Sequence, residues 1–113
     1  MSKTDSQQLA RTWIECWAEG RPEDIPLAEG FVHVSPFGRL EGRSHYLEVV
    51  KPMAEQSVTS LRILRTLGQP GEAVVLYDMD TAGRTIPACD WVFVRDGKIV
   101  EIRSFYDASK LRE

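Results

Sequence analysis

From Val58 to Asp107 the chain alternates apolar and polar side chains, and the alternation is cut by short clusters of turn residues. Val58 to Leu67 ends at Gly68, Pro70 and Gly71. Glu72 to Thr81 is turned by Ala82-Gly83, and Arg84 to Arg95 and Lys98 to Asp107 flank Asp96-Gly97. Asp-Gly between two alternating runs is a strong hairpin signal, because both central residues of the favoured tight turn need positive φ. Four such strands in succession predict an antiparallel meander with one apolar face. A half-apolar sheet must be covered, so the rest of the chain has to supply a second layer.

The first half supplies it as helices. Between Asp5 and Glu19, apolar residues stand at Leu9, Trp13, Cys16 and Trp17, with Ala10 and Ile14 beside them, which is one wide stripe of an amphipathic helix. Asp5 or Ser6 can cap its start, and Gly20 suits the left-handed position after its end. Pro22 fits the first turn of a second short helix over Pro22 to Ala28. Phe31 to Ser35 reads as a short strand halted by Pro36 and the Phe37-Gly38 turn. A third helix begins near Gly42-Arg43-Ser44 and carries Tyr46, Leu47, Val50 and Met53. Pro52 is expected to kink or shorten it by removing a backbone donor. Without repeats or linkers, 113 residues make one α+β domain over residues 1–113, N-terminal helices packed on a mostly antiparallel sheet.

Charge and cysteine usage narrow the partners. Fourteen basic and seventeen acidic residues leave a net charge of −3. No basic face or tail is present to neutralise phosphates, so no nucleic-acid partner is expected. Uncharged apolar runs fall far short of the roughly 18 residues that span a bilayer, so no membrane partner is expected either. Met1 to Gln8 lacks the apolar core of a signal peptide, and the expected location is cytoplasmic. Cys16 and Cys89 lie 73 residues apart without metal-like spacing, and read as small, buried, reduced hydrophobes.

The element order, together with Trp17-Ala18-Glu19-Gly20, the stretch Phe31 to Gly42 including Ser35-Pro36-Phe37-Gly38, and Pro87-Ala88-Cys89-Asp90-Trp91 leading to Asp96-Gly97-Lys98-Ile99-Val100, resembles the nuclear transport factor 2-like superfamily. That group includes ketosteroid isomerases, SnoaL-like polyketide cyclases and limonene epoxide hydrolases. The resemblance implies a cone-shaped fold, with helices closing a curved sheet around a pocket, and it implies homodimerisation through the sheet. It also places three isomerase groups on this chain. Ser35 stands where the isomerases hold an aspartate base, Trp13 where they hold the tyrosine of the oxyanion hole, and Asp90 where they hold an aspartic acid. One of the three is kept.

Asp90 is the most informative residue. It shares a strand face with Ala88, Val92 and Val94, and by the resemblance that face lines the cone. A carboxyl there loses hydration, which favours its neutral form and raises its pKa. A neutral acid can donate a hydrogen bond to a ligand oxygen, or an ionised one can partner a histidine. His33 lies two residues before Ser35 and faces the same side, so His33 and Asp90 form a candidate acid/base pair. Ser35, before proline, also fits ordinary turn chemistry. Asp78 and Asp80 share a face close to a turn and read as solvated carboxylates, so no metal site is expected. His45 belongs to an exposed first helical turn, and Asp107 can cap or tether a helix. Trp13, Trp17, Tyr46 and Tyr106 are expected to wall an apolar cavity. Trp91, Phe93 and Phe105 fall on the opposite parity, a face that a second copy would cover.

Two functions follow as expectations. One is cofactor-free acid/base catalysis, by isomerisation, cyclisation or hydration, on a small apolar oxygenated molecule. The other is a non-catalytic ligand-binding or dimerisation domain of the same fold. A close approach of His33 to Asp90 favours the enzyme.

Overall fold

In the computed structural model, which describes residues 3–56, 60–81 and 83–111, the alternating half builds four strands: β3 (Ser60–Gln69), β4 (Glu72–Thr81), β5 (Arg84–Arg95) and β6 (Lys98–Phe105). Two more precede them, β1 (Leu27–Ser35) and β2 (Gly38–Glu41), and the sheet runs β2-β1-β6-β5-β4-β3. Every neighbouring pair is antiparallel except β1 and β6, which are parallel. Helix α1 (Lys3–Ala18) lies over β3, β4 and β5, and helix α2 (Arg43–Gln56) over β1 and β2. The fold is α+β, with the helices on one face of the sheet.

Parity decides the core. Ala73, Val75, Tyr77 and Met79 of β4, Ile86, Ala88, Asp90, Val92 and Val94 of β5, and Ile99, Ile102 and Ser104 of β6 are all buried on the helix side. The α1 stripe of Ala10, Trp13, Ile14 and Cys16 seals against them. The helix comes very close to β3. A Cβ placed on Gly68 would stand 2.9 Å from Gln7 Cγ and 3.1 Å from Ser6 Oγ, and Ser6 Oγ donates to Gln69 O at 2.8 Å. Glycine at that position is what lets the helix sit down.

The β5–β6 turn has Asp96 at φ 52° and Gly97 at φ 77°, as the Asp-Gly signal requires. Just beyond it the register shifts. Val94 faces Ile99 but Phe93 faces Glu101, a bulge that puts Ser104 opposite Asp90.

Several expectations change. The second helix, expected over Pro22 to Ala28, is a single 3-10 turn at Pro22–Asp24. The strand then starts at Leu27, because pairing of Leu27 with Ile99 and of Ile99 N–H with Pro26 O draws this segment into the sheet. Pro36 does not end strand structure locally. Phe37-Gly38 turns the chain into β2, which pairs back on β1 from Ser35↔Gly38 to Val32↔Glu41. Helix α2 is not shortened at Pro52 and runs on to Gln56. The last strand ends at Phe105 rather than Asp107, whose carboxylate accepts from Ser109 N–H and Oγ–H at 3.1 and 2.6 Å and caps the following 3-10 turn at Ala108–Leu111. Val58 and Ala82 of the expected boundaries lie outside the described residues.

Candidate functional site

The site is built around a carboxylate that the strand carries inward. Asp90 is 1% exposed. Trp13, reaching down from α1, donates its indole N–H to Oδ2 at 2.7 Å, and Tyr77, from the neighbouring β4, donates its hydroxyl to Oδ1 at 3.0 Å. Ser104 stands directly across the β5–β6 ladder from Asp90, and its hydroxyl also favours the ionised carboxylate. Burial raises the Asp90 pKa to about 6, and these groups offset only part of that rise.

Ser104 also meets the histidine. Its Oγ lies 2.8 Å from His33 Nε2, so Ser104 stands between His33 and its cross-strand neighbour Asp90. His33 and Asp90 therefore communicate through a hydroxyl and make no direct bond. The imidazole stands edge-on to Trp13 and Tyr46, with ring centroids 5.3 and 5.5 Å away, and is stacked near Phe31. Enclosure among these rings lowers its pKa to about 4, so it is neutral at physiological pH. Nδ1 has no hydrogen-bond partner among the described residues. The one fully buried side-chain oxygen or nitrogen left unpaired among them is Glu23 Oε1, so Nδ1 opens onto the cavity that His33 lines.

That cavity measures about 460 Å³, the size of a small-molecule site, and its walls are mainly apolar. Trp13, His33, Tyr77, Asp90 and Ser104 form its floor, and Leu61, Met79 and Val50 its sides. Phe37, Val49 and Met53 stand at the rim, with Phe37 55% exposed.

The other candidates divide. Trp17 lines the cavity, and its indole N–H donates to Tyr46 Oη at 2.8 Å. Tyr46 is itself completely buried and does not reach the cavity surface, a correction to its expected place on the wall. It backs Trp17 and His33 instead. Ser35 and Tyr106 are both on the wall, and the Ser35 hydroxyl acts against the rise in the Tyr106 pKa. Ser35 Oγ also accepts the Phe37 N–H at 3.2 Å, the turn chemistry its place before proline suggests. Burial raises the Tyr106 pKa, so it stays a neutral hydroxyl.

Sequence reasoning missed Tyr77 and Ser104. Parity marks both as inward, but only the cross-strand register shows that they touch Asp90. Asp78 and Asp80 are held by Arg62, with Nε to Asp80 Oδ2 at 2.7 Å. Among the described residues no three of His, Cys, Asp and Glu converge. His45 is exposed near the start of α2. Both cysteines are free thiols, Cys16 buried and Cys89 only partly so, because β5 parity puts Cys89 on the outer face.

The comparisons agree with this architecture. Residues 10–102 match the SnoaL-like domain. The chain belongs to the SnoaL-like family. A crystal structure of a protein from Kribbella flavida is similar at a TM-score of 0.83 and 26% identity, covering 96% of this chain and 92% of that one. A candidate ketosteroid isomerase from the same organism matches at 0.78 and 18% identity, over 93% and 79% of the two chains. A candidate SnoaL-like polyketide cyclase from Jannaschia matches at 0.81 and 13% identity, over 97% and 90%. At such identities the last two speak for the fold alone, which is the nuclear transport factor 2-like fold. No curated protein matches the chain. A SnoaL-like fold hosts many chemistries, so the reaction has to be argued from the side chains.

Proposed function

We propose that this SnoaL-like protein binds a small, apolar, oxygenated molecule in the cavity and catalyses a cofactor-free proton transfer on it, of the isomerase, cyclase or hydratase type. The observation that carries the reading is the division of labour on the floor. Asp90 has both oxygens engaged by protein donors, whereas His33 offers one ring nitrogen to the cavity. His33 is the group that touches ligand, and Asp90 is the anion that holds it through Ser104.

A neutral imidazole of pKa about 4 is a weak base. It suits a proton already acidified by an adjacent carbonyl, with a hydroxyl donor stabilising the oxygen as charge develops. The Tyr106–Ser35 pair supplies such hydroxyls on the same wall. The test is deuterium exchange. Small terpenoid, steroid and polyketide-like ketones are screened by thermal shift, and those that bind are incubated with the protein in D2O and weighed by mass spectrometry. Exchange next to the carbonyl is expected to be accelerated, and His33→Gln to slow it about 100-fold. Binding without acceleration by the wild type would leave the non-catalytic reading, which the saturation of Asp90 by its donors favours.

The outer face supports a second part of the proposal, a homodimer. The Trp91 and Phe93 rings lie tilted at 42° with centroids 4.7 Å apart, and with Phe105 and Leu76 they leave an apolar strip on the outer side of the sheet. Trp91 is 37% and Phe105 54% exposed, more aromatic surface than an isolated sheet face ordinarily leaves to water. Light scattering at micromolar concentration is expected to give a dimer, and Trp91→Glu with Phe93→Glu a monomer. A monomeric wild type would end this part. The free thiols support a reducing, cytoplasmic setting, and among the described residues no helix is long and apolar enough to cross a membrane.

A further inference from the structure

The hydroxyl between His33 and Asp90 has a single proton, and where that proton points fixes the character of the ring nitrogen facing the cavity. Ser104 is 6% exposed, so its hydroxyl answers to its protein neighbours rather than to bulk water. Trp13 N–H is donor-only and occupies Asp90 Oδ2, while Tyr77 donates to Oδ1. The carboxylate is an acceptor on every side. A hydrogen bond to an ionised acceptor is roughly twice as strong as one between neutral groups. Ser104 faces Asp90 across the ladder and its hydroxyl favours the ionised carboxylate, so its proton goes to Asp90 and toward His33 the serine oxygen has only lone pairs left. His33 Nε2, 2.8 Å away, must carry the ring hydrogen.

We infer that Ser104 is a positioning residue that locks His33 in the Nε2–H tautomer and so presents an unprotonated Nδ1 to the cavity. The inference deepens the acid/base reading above and rests on it for its catalytic meaning, though the tautomer itself is a property of the ligand-free protein. It also names a ligand class. The wall at His33 accepts a hydrogen and cannot donate one, so the ligand it selects brings a hydroxyl, an enol or an acidified C–H to this point. A bare carbonyl oxygen placed against Nδ1 would meet a second lone pair. Such an oxygen belongs at the Tyr106–Ser35 end.

Among the described residues no other charged group joins this relay. The cavity's one guanidinium, Arg39, stands at the exposed end, where its Nε donates to Glu41 at 2.6 Å. The polarity of the relay is thus set by Asp90 alone among the charged lining residues.

The experiment is the ring-nitrogen spectrum of His33, by long-range proton–nitrogen correlation on uniformly labelled, ligand-free protein at pH 7.5. His45, exposed, serves as the internal reference. Wild type is expected to show the Nε2–H signature. Ser104→Ala removes the acceptor and leaves Nε2–H facing a methyl group, so the population shifts toward Nδ1–H, which water in the cavity can satisfy. Ser104→Thr keeps the hydroxyl and keeps the wild-type signature, which separates the relay from mere packing. An Nδ1–H wild type overturns the inference, as does an unchanged tautomer in folded Ser104→Ala. If the tautomer behaves as stated while no bound ketone exchanges deuterium, the catalytic proposal fails and the relay stands.

Discussion

Asp90 and Asp80 make an instructive pair. They sit on adjacent strands, each takes short hydrogen bonds from two side chains, and their pKa values move in opposite directions. On the helix side, Trp13 at 2.7 Å and Tyr77 at 3.0 Å hold Asp90, whose pKa is up at about 6. On the open side, Arg62 and Thr85, both at 2.7 Å, hold Asp80 and bring it down to about 2. The number and length of the bonds do not explain the difference. Burial does, because at Asp90 the lost hydration outweighs its donors, whereas at Asp80 water remains and the guanidinium adds its charge. The two faces of one sheet are thus two electrostatic environments, and on the inner one the pKa values of a carboxylate and an imidazole are both shifted toward the neutral forms.

The sharpest way to break that contrast is to delete the inner carboxylate. Asp90→Ala leaves the Trp13 N–H and Tyr77 O–H buried without acceptors and opens a small void. A loss of about 4 kcal/mol in unfolding free energy is expected, by urea denaturation at pH 7. That is a large share of what a domain of this size possesses. A loss below about 1 kcal/mol would mean that water enters readily and that the inner face is not the dry environment described.

The pH dependence tests the same point with both ionisable groups in place. Asp90 has a raised pKa in the folded state, so its contribution to stability is complete below about pH 4 and is lost as pH rises to about 6. His33 has a lowered one, so the folded state is penalised at low pH and recovers as pH rises from about 4 to 6.5. Each limb amounts to about 3 kcal/mol, and between pH 4 and 6 they oppose one another. Wild-type stability is therefore expected to be nearly flat across that interval as far as this pair is concerned. His33→Phe exposes the falling limb and Asp90→Asn the rising one. Denaturation midpoints at half-unit pH steps check both signs, and two variants sloping the same way would refute the assignment.

How much of this was legible in the sequence follows from what each feature depends on. The four-strand meander, the Asp96-Gly97 turn and the α1 stripe are local patterns, and the structure has them where the residues indicate. Edge strand β2 was missed because Gly38-Arg39-Leu40-Glu41 is short and polar, the form in which edges are kept from aggregating. The strand start at Leu27 was missed because it depends on a parallel partner far along the chain. The site is subtler still. A regular two-residue hairpin at Asp96-Gly97, continued from Arg95↔Lys98, would set Arg103 against Asp90. The bulge between Phe93 and Val94 moves the register by one residue and sets Ser104 there instead. One inserted residue decides whether the buried carboxylate meets a guanidinium or a hydroxyl, and nothing in a single sequence marks it. Asp90 and His33 could be singled out by residue type and parity, but the relay between them could not.

The smallest expected effect lies on the outer face. Arg62 bridges Asp78 at 3.3 Å and Asp80 at 2.7 Å, and it is more than half exposed. Exposed ion pairs gain little because water screens them and holding long side chains still costs entropy. Arg62→Ala is therefore expected to leave the urea midpoint at pH 7 within the error of the measurement. Its trace appears only in acid. Arg62 lowers the Asp80 pKa, so the stability that Asp80 contributes is present above about pH 4 and is lost as pH falls toward 2. Arg62→Ala should flatten that segment of the curve and leave the interval from pH 4 to 6.5 untouched, since that interval belongs to Asp90 and His33. Raising the salt concentration should mimic the substitution below pH 4 and do nothing to the inner pair, which lies beyond the reach of counterions. A salt-sensitive slope between pH 4 and 6.5 would show that ions reach the inner face, and the distinction between the two aspartates would then be one of degree.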